Sequence, residues 1–487
     1  MGLNRRLTVK MSSLVLAILA LSMIPSFICA IYYGEKSCIA AFGLCAAVYG
    51  VFGFVFYKKL ALTSRNIKIR DGYLVVAACW ITACFFGAFP YYIADNDLTF
   101  IQCIFESTAG ITTTGSSILS QAGSANSLLL FKAICHWIGG MVILVLMVSI
   151  LPTLGIGGQT IANAETPTPR IEKVTNRMSD TALLLYVMYI AFTILEFVLL
   201  IMSSELTRFD ALLTTLSTIS TGGFLTHDVG IMYYNSVYIE AIITIFSILV
   251  AVNFNLYFYL VSGRFREIIK STELKAFLCI IIVSTLIISL DVYTSGIYSN
   301  YSTALRHSLT QAVSFSSTSG FKFANFMTWP SLSKTILFIL MMMGGCAAST
   351  SGGIKIVRIV VFFKLAMRGV VKRLHPRSVI AIKLGGNSLD SNLVTQMATF
   401  IFTFIGVALA SLLVISIEAP DMETAIGTVI GTLSNTGTIY GSGLGDLGFN
   451  YFSDPMKLYL SLMMIMGRLE LFTILILFTR SFWNPDR

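Results

Sequence analysis

The sequence predicts an all-α polytopic membrane protein in which a leading two-helix hairpin precedes four pseudosymmetric repeats of helix, pore loop and helix around one pore. Three observations carry this prediction. Of 487 residues, 56% are hydrophobic and 12% charged, and mean hydropathy is +0.81, a composition suited to lipid and not to a soluble surface. Long apolar stretches, each near the ~20 residues that cross a bilayer, alternate with shorter ones. A Thr/Ser-Gly cluster then recurs four times, at Ile111–Gly115, Ser220–Phe224, Ser317–Phe321 and Ser434–Gly437. With Gly115, Gly222, Gly320 and Gly437 taken as equivalent, the clusters are 107, 98 and 117 residues apart, the signature of an internal repeat.

The elements follow in order. Residues 13–33 come after Arg5, Arg6 and Lys10 and imitate a signal peptide. The stretch is too long for one, lacks a small-residue cleavage site and runs into a second apolar stretch at 38–57, so the pair reads as a retained helical hairpin. Eight further spans are predicted at 74–93, 129–151, 182–202, 237–261, 276–293, 333–362, 395–417 and 456–480, ten in all. Between the members of each later pair lie apolar stretches at 100–110, 208–219, 303–316 and 421–433. These are too short to cross and suit re-entrant half-helices that stop at the midplane. The expected units are residues 1–72, the hairpin with a cytoplasmic loop, and the four repeats 73–181, 182–274, 275–392 and 393–487.

Basic residues set the orientation. Of 33 Lys and Arg, 23 fall in the N-terminus, the loops 58–73, 152–182, 262–275 and 363–392, and the C-terminus. Lys36, Lys132, Arg208, Arg306, Lys322, Lys334 and Lys457 fall on the other side. Both termini are therefore expected in the cytoplasm, with the pore loops entering from outside. The net charge of +9 follows from this topology and from anionic membrane lipid, and requires no nucleic acid.

Other classes fit less well. No polar stretch has the ~50 residues of a soluble catalytic domain, and no HExxH or Ser/Asp/His constellation marks a membrane enzyme. Nine cysteines, mostly inside apolar segments and without metal-ligand spacing, read as packing residues. Secondary transporters also use broken helices, but their repeats usually invert and come in two, whereas these four share one orientation.

The clusters suit a cation. Glycine permits positive φ and close backbone approach, so a glycine after Thr or Ser turns carbonyls toward one axis, while hydroxyls add further oxygens. Each half-helix also points the negative end of its macrodipole at the centre. The candidate ligands are Thr113, Thr114, Gly115, Ser220, Thr221, Gly222, Thr318, Ser319, Gly320, Asn435, Thr436 and Gly437.

Phe105–Gly115, His136-Trp137-Ile-Gly139-Gly140, Ser220–Phe224, Ser349-Thr-Ser-Gly-Gly-Ile-Lys355 and Gly467-Arg468 together resemble the Trk/Ktr superfamily of potassium transporters, over nearly the whole chain. The leading hairpin makes the chain similar to the TrkH-type uptake subunits rather than to the KtrB branch. The resemblance implies potassium as the bound ion, a homodimer with a pore in each subunit, a bacterial cytoplasmic membrane, and coupling to a cytoplasmic nucleotide-binding ring of the TrkA type. The third cluster departs from the Thr-Thr-Gly of many relatives, reading Thr318-Ser319-Gly320, and the fourth continues Thr438-Ile439-Tyr440. Both keep the glycine.

The last span of the third repeat is interrupted by Gly344, Gly345, Cys346, Ala347, Ala348, Ser349, Thr350, Ser351, Gly352 and Gly353, a run too flexible and polar to face lipid. The resemblance implies an intramembrane gate loop beneath the filter; a kinked helix packed through small residues is the alternative. Lys355 and Arg358 either snorkel to the interface or shut the pore electrostatically. Arg468 lies mid-span, where a guanidinium costs roughly 2.5–3.5 kcal/mol. It is expected to face the pore or a partner, held by a carboxylate or by gate-loop carbonyls, or else to form a structural ion pair. Glu106 either adds negative potential at the filter or hydrogen-bonds its own loop. His136 and Trp137 read as packing and interfacial anchoring.

Overall fold

A computed structural model describes residues 3–60, 68–119, 123–142, 178–378, 380–438, 440–441 and 443–484. Among these, helices dominate, and the one sheet is a two-stranded hairpin of Lys383–Leu384 and Asn387–Ser388. Arg5–Tyr33 and Lys36–Lys59 form the leading hairpin, turned at Gly34 with φ 71°, the left-handed residue that commonly ends a helix. The Asn4 N–H donates to Asp71 Oδ1 at 2.9 Å, and Arg70 donates to the Phe482 carbonyl at 2.9 Å. Residues 4 and 482 therefore lie at one face, beside the start of Ile69–Phe86.

Four half-helices appear where the short apolar stretches predict them: Phe100–Ile111, Arg208–Ile219, Tyr301–Ser316 and Met422–Leu433. They are called the first to fourth pore helices below. Three begin on a side-chain cap, with Thr99, Thr207 and Asp421 accepting from Gln102, Asp210 and Thr424 N–H, which satisfies donors that a helix start leaves open. Their inner halves are buried although rich in Ser and Thr. The helix itself accepts these hydroxyls: Thr112, Thr215, Thr218 and Thr432 donate to the carbonyls of Thr108, Ala211, Thr214 and Thr428 at 2.7–2.9 Å. This back-bonding makes polar residues compatible with a dry setting.

Six described helices are long and apolar enough to cross a bilayer, or up to eight if each bent pair is one span. The sequence predicts ten, and the difference lies in the second spans of the repeats. Val237–Ala251 and Phe254–Val261 meet at 92°, and Asp454–Arg468 and Phe472–Phe478 at 115°. The expected span 333–362 consists of Ser331–Met342, a loop, and Ile356–Leu374. The expected span 129–151 runs as Asn126–Trp137 and widens to a π-helix at Ile138–Val142. Its remainder, with the basic loop as far as 177, lies outside the described residues.

The last break contains neither Gly nor Pro. Glu470 and Leu471 take φ of 54° and 61°, and each such left-handed residue costs of order 1–3 kcal/mol. Arg358 compensates: it pairs with the Glu470 carboxylate and stacks on the Phe400 ring at 3.9 Å. Arg358 is thus buried in packing contacts and does not snorkel.

Candidate functional site

All four pore helices end in the same way. Thr113, Thr221, Thr318 and Asn435 take φ of 56°, 56°, 59° and 56°. Each N–H bonds the carbonyl three residues back, and the next residue, Thr114, Gly222, Ser319 or Thr436, reaches five residues back at 2.8–3.0 Å. This is a Schellman ending with Thr or Asn where glycine usually stands. The side chain kept at that position has partners. Asn435 Nδ2 donates to Thr114 Oγ1 and to the Met464 carbonyl, both at 2.9 Å, Thr221 Oγ1 donates to the Thr350 carbonyl at 3.1 Å, and Thr318 Oγ1 accepts from Gly352 N–H at 2.7 Å.

Beyond these turns come Gly115, Gly223, Gly320 and Gly437, with φ of 79°, 66°, 72° and 64°. A Cβ on each would fall on a carbonyl of the next cluster: on Gly222 O at 2.0 Å, Ser319 O at 1.7 Å, Thr436 O at 2.1 Å and Thr114 O at 1.7 Å, respectively. The contacts run from cluster one to two, three, four and back to one, so the four clusters form a closed ring. Both the positive φ and the close approach demand glycine there.

The ring corrects one equivalence. Gly223, not Gly222, is the counterpart of Gly115, Gly320 and Gly437. Gly222 matches Thr114, Ser319 and Thr436, whose hydroxyls lie 2.7–2.9 Å from those of Thr112, Ser317 and Ser434. In the second cluster no such pair forms, and the Ser220 hydroxyl returns to the Leu216 carbonyl at 2.7 Å. The imidazole of His136 fills the space, for a Cβ on Gly222 would fall 1.8 Å from its Nδ1. His136 is fully buried and packs against the ring rather than at an interface.

On one side of the ring lies a cavity of 510 Å³ lined by Gly115, Gly223, Gly320 and Gly437 together with the loops that follow the pore helices. On the other side, against the residues that precede these glycines, lies the loop 343–355. Its ends pair through Gly344 N–H to Ile354 O and Ile354 N–H to Met342 O, both at 3.0 Å, and Gly353 turns with φ 64°. The Ser351 hydroxyl accepts from Gly345 N–H at 2.9 Å and lies 2.7 Å from the Ser349 hydroxyl. Lys355 Nζ donates to the Ser351 carbonyl and to the hydroxyls of Ser351 and Ser349, so it closes the loop on itself. The loop is also joined to the broken helix of the second repeat, by Cys346 N–H to Ala251 O at 2.8 Å and Phe254 N–H to Ala348 O at 3.2 Å. Glu273 accepts from Ala347 N–H at 2.6 Å.

Arg468 completes the arrangement. It donates to the Thr350 carbonyl at 2.8 Å, to Gly139 O at 2.8 Å and to Gly140 O at 2.6 Å. Of the expectations for this residue, the carbonyl anchor is the observed one. Gly139 and Gly467 each press on the carbonyl of the last residue of their own pore helix, Ile111 and Leu433, which makes Gly140 and Arg468 counterparts. At one counterpart a Cβ would meet the Tyr189 hydroxyl at 2.7 Å and Ser220 at 3.0 Å, and at the other a guanidinium extends to the loop.

Glu106 and Lys132 form a fully buried ion pair behind the first cluster. Glu106 also accepts from Ser117 Oγ at 2.8 Å and Ile118 N–H at 3.0 Å, and Lys132 donates to Ser116 O at 2.9 Å. Of the two expectations for Glu106, bonding to its own loop is what the structure contains. A buried pair of this kind holds geometry, since either charge alone would be costly.

Residues 46–484 match the family model TrkH, described as a cation transport protein. The chain belongs to the TrkH family. It is 31% identical over 493 residues to the Trk system potassium uptake protein TrkH of Halomonas elongata, covering 99% of this chain and 100% of that one. Against TrkH of Salmonella typhimurium the identity is 35% over 425 residues, covering 86% and 87%. The crystal structure of the potassium transporter TrkH from Vibrio parahaemolyticus superposes with a TM-score of 0.86 at 32% identity, covering 99% of this chain and 100% of that one. TrkH is a family of transporters and not of enzymes, and this member is a multi-pass membrane protein.

Besides Gly223, Lys132 and Glu273 are the site residues that sequence reasoning about this TrkH-family chain missed. A signal for the first exists, because Lys132 lies four residues before His136 and faces the same side of its helix. Glu273 follows a basic loop and carries no comparable signal.

Proposed function

We propose that the chain takes up potassium across a bacterial cytoplasmic membrane, with potassium as transported substrate rather than resident cofactor. The ring carries this reading. Four backbone segments, packed against one another as closely as glycine permits, in this reading turn oxygens toward one axis and so replace the hydration shell of a small cation. In this reading Thr113 to Gly115, Ser220 to Gly223, Thr318 to Gly320 and Asn435 to Gly437 form the selectivity filter. Residues 73–181, 182–274, 275–392 and 393–487 are its four repeats, and 1–72 is the accessory hairpin.

The loop 343–355 and Arg468 act as the gate on the cytoplasmic side. The relatives are named as parts of Trk systems, which supports work within a system of several components; in this reading that system is a homodimer with a cytoplasmic nucleotide-binding ring of the TrkA type, as the sequence resemblance implies, both termini facing that ring. Bi-ionic reversal potentials of the reconstituted chain test the reading. Gly320→Ser places a Cβ 2.1 Å from Thr436 O, which must shift backbone and reduce potassium/sodium discrimination. Unchanged reversal potentials in a folded variant refute it.

A further inference from the structure

The outer cavity holds a charge that the filter reading leaves unused. Lys322 follows the third filter glycine by two residues and lines the same 510 Å³ cavity as all four filter glycines. Among the described residues lining it, the charged ones are Lys322 and Asp228, with His227 beside them. The position of Lys322 is built. Its carbonyl accepts from Ile231 N–H at 3.1 Å, and the Gly230 turn, with φ 85°, approaches so closely that a Cβ there would lie 2.9 Å from Lys322 Cβ. The outer loop of the second repeat thus clamps this lysine beside the filter entrance, and it is half-buried. Asp228, on that same loop, is its Coulombic partner.

An ammonium is a compact, strongly hydrated unit charge. Placed in a mouth with low-dielectric walls, it repels arriving cations and lowers their local concentration, and a carboxylate in the same mouth does the opposite. We propose that Lys322 is a rate- and affinity-setting residue of the outer vestibule, opposed by Asp228, which holds down potassium occupancy at the filter entrance without taking part in ion discrimination. This rests on the filter reading above. It adds that the vestibule, and not only the filter and gate, sets how uptake depends on external potassium.

The test is potassium uptake by the full-length chain in proteoliposomes at fixed low potassium, with ionic strength varied by an impermeant organic salt. Removing one unit charge within a Debye length of the path changes local cation concentration about two- to threefold in water. Lys322→Gln should therefore raise initial uptake about two- to threefold at about 10 mM ionic strength, and Lys322→Glu about four- to ninefold. Asp228→Asn should lower it, and Lys322→Arg should leave it near wild type. All of these differences should collapse near 1 M salt, where the Debye length is about 3 Å, while potassium/sodium reversal potentials stay at the wild-type value throughout.

Lys322→Gln keeps the backbone and Cβ contacts, and the Arg and Glu variants supply independent readings should it fold poorly. Equal uptake by the Gln, Glu and wild-type chains at low salt overturns the proposal, as does a difference that persists undiminished at high salt. If Gly320→Ser leaves discrimination intact, the filter reading fails instead, and that outcome is read from reversal potentials and not from salt dependence.

Discussion

Arg468 is the residue at which substitution should speak most directly to gating. Its guanidinium links the loop, through the Thr350 carbonyl at 2.8 Å, to the first repeat, through the Gly139 and Gly140 carbonyls at 2.8 and 2.6 Å. Of the three Arg468 bonds, only the one to Thr350 must break when the loop leaves the ring while the Arg468 side chain stays on Gly139 and Gly140. A hydrogen bond from a charged donor contributes about 1.5–3 kcal/mol, so Arg468→Ala should shift the open-to-closed ratio about ten- to hundredfold. It also removes a fixed positive charge from the pathway, which acts in the same direction. Arg468→Lys keeps the charge but cannot span three carbonyls with a planar fork, so flux should rank Ala above Lys above wild type. Single-channel open probability in planar bilayers, normalised to folded protein, measures this and should also show weaker dependence on the cytoplasmic partner. If the Ala variant loses its fold or the proposed dimer while flux per folded pore stays constant, Arg468 is structural and the gating role is wrong.

Deletion of 347–352 removes Thr350, the shared acceptor of Arg468 and Thr221, and should raise potassium flux. Combined with Arg468→Ala it should add little, since both act on one contact; additive flux gains would separate the two. Gly222→Ala should destabilise by about 1–3 kcal/mol through overpacking against His136, and His136→Ala should largely relieve it. Thermal unfolding of the double variant decides the point, and no side-chain change should rescue Gly320→Ala, whose clash is with the backbone of Thr436. Glu106→Gln should cost about 3–5 kcal/mol by leaving Lys132 charged and buried alone, and Lys132→Met added to it should recover much of that loss in denaturation of the detergent-solubilised protein.

Much of this architecture was legible in the chain, for reasons that can be named. The pore helices were readable because apolar stretches too short to cross end at Thr/Ser-Gly clusters. The predicted bounds of 208–219 coincide with the observed Arg208–Ile219. The interruption at 344–353 announced itself by its glycines. The break after Ala251 carried one short sign, Asn253, which caps the helix that follows by accepting from Asn255 N–H but stands alone in an apolar run, and the break after Arg468 carried none in Leu469, Glu470 and Leu471. The left-handed turn at 470–471 is held from outside by Arg358, a contact 112 residues away in sequence. The register of the second cluster was misread because Gly222 and Gly223 are adjacent, and only the ring contacts say which of them meets the Ser319 carbonyl. Likewise, the positive φ expected at Gly222 belongs to its neighbour, and Gly222 is required by a histidine from another helix.

Among the described residues, the parts beside the ring are each present once. The loop comes from the third repeat, its guanidinium anchor from the fourth, the receiving carbonyls Gly139 and Gly140 from the first, and Thr221 from the second. An assembly of four identical subunits would have to bring four loops and four arginines into the same space, where their bulk and like charge would exclude one another. Covalent concatenation removes that constraint. It lets each quarter of a near-symmetric ring diverge on its inner side, so that the proposed obstruction, its latch and its two seats are different residues on one chain, while the glycines that meet the carbonyls of the next cluster around the ring stay alike.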